Sequence, residues 1–295
     1  MSTNMVKLSE KLSISPIVQG FWRLEDWKWS DKELASFMNA CIERGVTTFD
    51  TAEIYSDTLC EKMMGEAFAA DPTIRSRIQL VSKTGIFKEE SFGYYNTTYE
   101  RVMTSCKESL QRLHTDHLDL YLIHREDPCL DPWETARALK DLKKEGLILE
   151  AGVSNFDPFK FDALNTAMGG ELVTNQIEWN PVCFEHFNTG MMDYLTVRRI
   201  HPMIWSPLAG GRLFKGEDEQ CRKAMDKIRK IAGRHGEDPS TIIYAWLKYH
   251  PVGAAPISGS NKLSRLDLAL RALNVKLEHY EWYEIYVASG QQVLR

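Results

Sequence analysis

Four side chains in this sequence are of the types needed to manage a proton: Asp50, Tyr55, Lys83 and His124. A free phenol has a pKa near ~10 and is a poor acid at neutral pH. An ammonium beside it stabilises the phenolate and lowers that value, and a carboxylate paired with the ammonium keeps it charged and aimed. An imidazole can donate to a carbonyl oxygen or relay its proton. Acting together, the four would form a general acid for a reaction that generates an alkoxide. Reduction of a carbonyl by hydride is such a reaction. No side chain supplies hydride, so that chemistry also calls for a redox cofactor. Taken singly, each residue has a plainer reading: Asp50 as a helix cap, Lys83 as a surface lysine, Tyr55 as a packed loop residue, His124 as a hydrogen-bonded core histidine.

The elements that carry these residues decide between the readings. Short apolar runs at 16–22, 46–51, 78–84, 118–124, 147–154, 172–179, 201–207 and 252–258 alternate with helical patterns. Most runs are apolar on both faces, as strands covered on both sides are. Ser30 with Glu33 and Thr97 with Glu100 read as capping boxes. Asp131-Pro132, Asp157-Pro158 and Asp238-Pro239 place an N-cap before a proline at the first helical position. This alternation predicts an α/β fold, a (β/α)8 TIM barrel, as a single domain over 1–295, with a short N-terminal β-hairpin (5–15) at its bottom. A doubly wound open sheet is the rival, and the GxGxxG turn it usually offers is absent. In a barrel the C-terminal strand ends converge on one mouth. Asp50, Lys83 and His124 end the second, third and fourth runs, with Tyr55 in the loop after Asp50. Ser154-Asn155 end the fifth, Gln176 lies in the sixth, and Trp205-Ser206 end the seventh.

Composition sets limits. The 295 residues carry a formal net charge of −5, which gives no basic footprint for nucleic acid. No apolar run approaches the roughly 18 residues of a membrane span. The N-terminal stretch lacks the apolar core of a signal peptide. Six cysteines without a CxxC pair read as reduced thiols in a cytoplasm. His114 and His117 have a metal-pair spacing but no third ligand nearby, so they read as a solvated turn and no metal is expected.

FDTAEIY (49–55), LVSKTG (80–85), DLYLIHR (119–125), GVSNF (152–156), TNQIEWNP (174–181) and WSPLAGGRLF (205–214), in this order, resemble the aldo-keto reductases. The resemblance covers about 16–273. It implies a (β/α)8 barrel that binds NADPH without a Rossmann fold. It casts Tyr55 as proton donor, Lys83 and Asp50 as its tuning pair, and His124 as the orienting imidazole. Ser154, Asn155 and Gln176 resemble the binders of the nicotinamide carboxamide. Trp205 stands where an aromatic stacks on the nicotinamide ring, with Ser206, Leu208 and Gly210 as further cofactor contacts. Gly259, Ser260, Lys262 and Arg265 resemble the holders of the 2′-phosphate, at a helix N-terminus where backbone N–H groups favour an anion. Asp267-Leu268-Ala269 departs from the Glu-Asn that many relatives place against adenine.

Trp22 and Phe87 are expected to line a substrate pocket, with Trp27 and Trp29 packing their loop onto a helix. Arg125 would recognise an anionic substrate or, as the favoured expectation, pair with Glu126 or Asp127. The resulting expectation is a cytoplasmic NADPH-dependent reductase of a small aldehyde or ketone, acting as a monomer or small homo-oligomer. The alternative implied by the resemblance is a cofactor-holding subunit of the channel-associated type.

Overall fold

The computed structural model describes residues 5–291. The first and last residues of the predicted 1–295 span lie outside them. Among the described residues twelve strands occur: β1 (Val6–Lys7), β2 (Ser13–Ile14), β3 (Val18–Gly20), β4 (Thr48–Asp50), β5 (Gln79–Thr84), β6 (Ile86–Lys88), β7 (Gly93–Tyr95), β8 (Leu118–Ile123), β9 (Ile148–Ser154), β10 (Leu172–Glu178), β11 (Met203–Trp205) and β12 (Ala255–Ser258). The helices are α1 (Asp31–Glu43), α2 (Leu59–Ala70), α3 (Tyr99–Arg112), α4 (Pro132–Lys144), α5 (Pro158–Met168), α6 (Glu185–Asn188), α7 (Met191–Arg198), α8 (Arg212–Lys215), α9 (Glu219–His235), α10 (Pro239–Tyr249), α11 (Leu263–Arg271) and α12 (His279–Ala288).

β3, β4, β5, β8, β9, β10, β11 and β12 close into a barrel of parallel neighbours, each of the eight falling within one predicted run. Closure rules out the open-sheet rival. Val18, Val81, Leu120, Leu122, Val173, Met203, Ala255 and Ile257 fill the inside, while a larger apolar cluster lies between the strands and the helices. Both faces of the strands are therefore buried, which is why the runs show little alternation. The β1–β2 hairpin pairs Val6 with Ile14 and Lys7 with Ser13, and its Leu12 and Ile14 join the inner cluster. The backbone N–H of Ser15 donates to Thr48 Oγ1 at 2.8 Å, at the start of β4. The hairpin thus closes the end of the barrel opposite to Asp50.

Capping sets the helix starts. Ser30 and Glu33 form the reciprocal box, and Asp131, Asp157 and Asp238 accept first-turn N–H groups with proline at the first positions. The expected Thr97–Glu100 box does not form. Thr98 occupies the cap position of α3 without a side-chain bond. Thr97 is drawn away because its N–H and hydroxyl both donate to the buried carboxylate of Asp127, at 3.2 and 3.0 Å.

Candidate active site

Parallel register levels the strand ends. Gly20 pairs with Asp50, Asp50 with Val81, and Lys83 with Leu122. Residue types at those levels then meet at the mouth. Lys83 is 0% exposed, and its ammonium donates to Asp50 Oδ1 at 2.7 Å, to the Thr51 carbonyl at 2.7 Å and to Tyr55 Oη at 3.1 Å. All three of its donors are engaged. The second carboxylate oxygen of Asp50 accepts from Gln176 Nε2 at 2.7 Å. Asp50 is therefore the counter-ion of Lys83, not a helix cap.

Tyr55 is half-buried and sits edge-on to His124, with ring centroids 5.7 Å apart. Its turn is held by unusual backbone: Ser56, Asp57 and Thr58 have φ of 47°, 51° and 70°. Left-handed backbone costs an L-residue roughly 1–2 kcal/mol each, so the surrounding packing must impose it. Part of that packing was not anticipated. Glu53 is buried; its N–H donates to the Lys83 carbonyl at 3.1 Å, and its carboxylate accepts from Thr84 Oγ1 at 2.8 Å and Arg101 at 3.2 Å. The clue was an acid inside FDTAEIY, a stretch otherwise read for Asp50 and Tyr55 alone.

The electrostatics depart from the simple expectation for the phenol. Burial is the largest influence on Tyr55 and pushes its pKa up; the Lys83 ammonium pulls it down, and the net direction is upward. Lys83 is burdened most by desolvation, yet Asp50 and Tyr55 hold its pKa above the ordinary value. His124 is pushed well below 6.5 by burial, then by the charges of Lys83 and Arg125, so its imidazole is neutral. Its Nδ1 is buried without a partner.

Next to this group lies a second polar chain. Asn155 Nδ2 donates to Ser154 Oγ at 2.8 Å and to the His124 carbonyl at 3.3 Å, while its Oδ1 accepts from Trp205 Nε1 at 2.8 Å. Ser154 Oγ donates to the Gln176 carbonyl at 2.8 Å. Ser154, Asn155, Gln176 and Trp205 are thus one connected set, though the amide nitrogen of Gln176 is committed to Asp50. In the following loop Ser206, Ala209, Gly210 and Gly211 all have positive φ, and Leu208 accepts from Gly211. A Cβ added at Gly210, Gly211 or Gly259 would meet nothing within 4 Å. Their backbone is open to a close-lying ligand.

Ser260 lies just after β12, where its hydroxyl accepts from the Lys262 N–H at 3.2 Å. Lys262 occupies the N-cap position of α11 without a side-chain cap, and Lys262 and Arg265 are exposed. Among the described residues neither forms an ion pair, whereas Asp267 is taken by Arg44 at 2.8 Å. Open backbone beside the mouth and unspent cations at a helix N-terminus fit a nucleotide cofactor with a terminal phosphate.

The aromatic residues divide. Trp22 is 58% exposed at the rim, but Phe87 is 9% exposed, lying under Arg101 with the guanidinium 4.0 Å from its ring centre. Trp27 and Trp29 pack on Phe37 of α1, as expected. Phe87, Tyr94 and Tyr95 lie in a two-stranded ribbon, β6 paired with β7. The expected pairing of Arg125 fails. Glu126 bonds Lys160 and the Asp157 N–H, and Asp127 serves Thr97 and Cys129. His114 approaches Glu66 at 4.0 Å and His117 pairs with Asp116 at 2.6 Å, so the two histidines are turned to different partners. Among the described residues no helix is long and apolar enough to cross a membrane.

Comparison with known proteins places this geometry. The model of the Aldo/keto reductase family matches residues 16–288. The uncharacterized oxidoreductase YcsN of Bacillus subtilis is 39% identical over 96% of this chain and 97% of that protein. A 6-dehydroglucose reductase of Agrobacterium fabrum is 38% identical over 98% and 99%. The crystal structure of a thermostable aldo-keto reductase with the inhibitor epalrestat superposes with a TM-score of 0.81 at 25% identity, covering 95% of this chain and 97% of that one.

Proposed function

The chain belongs to the aldo/keto reductase family, and from that premise we propose that it reduces an aldehyde or ketone to the alcohol, with NADPH as cofactor and Tyr55 as proton donor. The observation that carries the reading is the fully buried Lys83, whose three donors are spent on Asp50, Thr51 and Tyr55. A solvated lysine or a packing tyrosine needs no such arrangement.

When bound, the nicotinamide supplies hydride to the carbonyl carbon. The protein manages the oxygen. Tyr55, held protonated at neutral pH by burial, gives its proton to the oxygen as negative charge develops there. The phenolate left behind faces an ammonium at 3.1 Å that is already in place, so no solvent has to reorganise. Asp50 keeps that ammonium charged and fixed. The neutral imidazole of His124 orients the carbonyl oxygen. A proton from solvent then restores Tyr55, so one carbonyl, one NADPH and one proton yield one alcohol and one NADP+. Ser154, Asn155 and Gln176 would hold the carboxamide, Trp205 the ring, the backbone at Ser206, Leu208 and Gly210 the diphosphate side, and Gly259, Ser260, Lys262 and Arg265 the 2′-phosphate. Trp22, exposed at the rim, would flank the substrate. We take the whole chain, 1–295, to act as one domain, in the cytoplasm, as a monomer or small homo-oligomer. Relatives named for 6-dehydroglucose and methylglyoxal favour a small polar carbonyl compound.

The test is NADPH consumption with 4-nitrobenzaldehyde and with methylglyoxal, alongside Tyr55→Phe. The wild type should turn over, and the variant should keep NADPH affinity while its rate falls ~10²-fold or more. A wild type that binds NADPH but reduces neither compound, or a variant near the wild-type rate, would overturn the assignment.

A further inference from the structure

We infer that Arg125 makes this site select carbonyl compounds that carry an anionic group, a carboxylate or a phosphate. The inference rests on the reductase reading and narrows its substrate class. By sequence, Arg125 has two acids beside it. In the fold both are occupied: Glu126 by Lys160 and the Asp157 N–H, Asp127 by Thr97 and Cys129. Among the described residues Arg125 has no ion pair and no side-chain hydrogen bond. It lies instead above Trp205, with its guanidinium carbon 5.7 Å from the ring centre. It is half-buried, directly after His124, and its charge is felt at both Tyr55 and His124. A partly desolvated cation without a counter-ion, beside the reacting groups, is set to take its counter-ion from the ligand.

The other charged groups nearby leave that role open. Glu178, at the end of β10, feels Arg125 but stays beyond ion-pair reach, and the amide of Asn180 donates to it at 3.2 Å. Burial pushes the Glu178 carboxyl upward, toward its neutral form. His186 is buried and held neutral by desolvation. The planar guanidinium fork matches a carboxylate or phosphate in two parallel hydrogen bonds. Adjacent residues would then serve the two ends of one small molecule: His124 with Tyr55 at its carbonyl, Arg125 at its anion. Lys262 and Arg265, beyond β12, are left for the cofactor.

Two substrate pairs isolate the charge: 4-formylbenzoate against its methyl ester, and glyceraldehyde 3-phosphate against glyceraldehyde. The wild type should favour the anionic member of at least one pair by ~10-fold or more in kcat/KM, as expected for a charge-assisted contact. The pair that shows it tells carboxylate from phosphate. Arg125→Gln should bring that ratio to within ~2-fold of one. Ratios near one in both wild-type pairs would overturn the inference. So would an Arg125→Gln that lowers both members equally, or that weakens NADPH and keeps the ratio. Calorimetric titration with terephthalate, which cannot be reduced, gives a readout independent of turnover: wild type should bind ~10-fold tighter than Arg125→Gln, and equal affinities would refute the anion site. If the wild type binds terephthalate in this way yet reduces no aldehyde, the reductase reading falls and the anion site stands.

Discussion

Replacing Lys83 by methionine removes the cation on which the site is built, and the structure sets the size of the effect. Lys83 and Asp50 have side-chain exposures of 0% and 4%, with 2.7 Å between Nζ and Oδ1. In Lys83→Met the Asp50 carboxylate keeps only the Gln176 amide, at 2.7 Å on its other oxygen, and the Thr51 carbonyl and Tyr55 hydroxyl lose their donor. Removing one partner of a buried pair leaves an uncompensated charge and costs about 3–5 kcal/mol. Against a typical total of about 5–15 kcal/mol, the variant should still fold. Lys83→Met/Asp50→Asn removes the orphaned charge as well. It should be more stable than the single variant and lie within ~2 kcal/mol of wild type, because replacing both charges is far milder than stranding one. Urea unfolding at neutral pH, followed by tryptophan fluorescence and circular dichroism, measures all three proteins together with Asp50→Asn to complete the cycle. Both Lys83 variants should lose aldehyde reduction by at least ~10-fold, since the phenolate formed at Tyr55 has no ammonium to face. A Lys83→Met that costs under ~1 kcal/mol, or a double variant no more stable than the single one, would refute the buried ion pair as the foundation of the site.

Two more outcomes follow from the same geometry. Arg265→Ala should weaken NADPH at least ~10-fold and leave NADH nearly unchanged, the lower end for a charged hydrogen bond because the residue is exposed and screened; fluorescence titration of both cofactors decides it, and equal losses would place the phosphate elsewhere. His124 is held below 6.5 in the folded state, so the unfolded chain binds its proton first as pH falls. Its contribution to stability is therefore complete above about 6.5 and is lost as pH drops from there toward the folded value. Urea unfolding at pH 7.5 and 5.5 should show a smaller acid loss in His124→Gln than in wild type, and equal losses would mean that the imidazole titrates freely.

The barrel was legible because each strand buries two faces, leaving short apolar runs such as LDLYLIH and LVTNQIEW between capped helices. The convergence of Asp50, Tyr55, Lys83 and His124 was legible because parallel register brings residues at strand ends to one level. Other features were not. Ile86-Phe87-Lys88 and Gly93-Tyr94-Tyr95 pair over three positions, too few for a period-two pattern to stand out. The direction of the Tyr55 shift depends on burial, which outweighs the ammonium that sequence reasoning placed beside it. The capping role given to Thr97 and the pairing given to Arg125 both failed through long-range competition: Asp127 claims Thr97, and Lys160 helps claim Glu126. Local patterns do not record such partners.

The β6–β7 ribbon has a consequence for redesign. Its two strands bond to each other as a separate sheet, outside the barrel, and the N–H of Asn96 donates to the Gly85 carbonyl at 3.1 Å. The chain therefore leaves β5 and runs on to α3 through one latched point, and residues 86–95 form a cassette. Exchanging a cassette whose ends are already held together adds little loop-closure entropy, which grows by only about 0.6 kcal/mol per doubling of length. Lys83 and Asp50 lie on the strands beneath it and share no hydrogen bond with it. A library built by grafting ribbons of varied length and sequence between Gly85 and Asn96, with Phe87 kept under the Arg101 that bonds Glu53, could thus retarget the enzyme while the proton-handling floor beneath stays as it is.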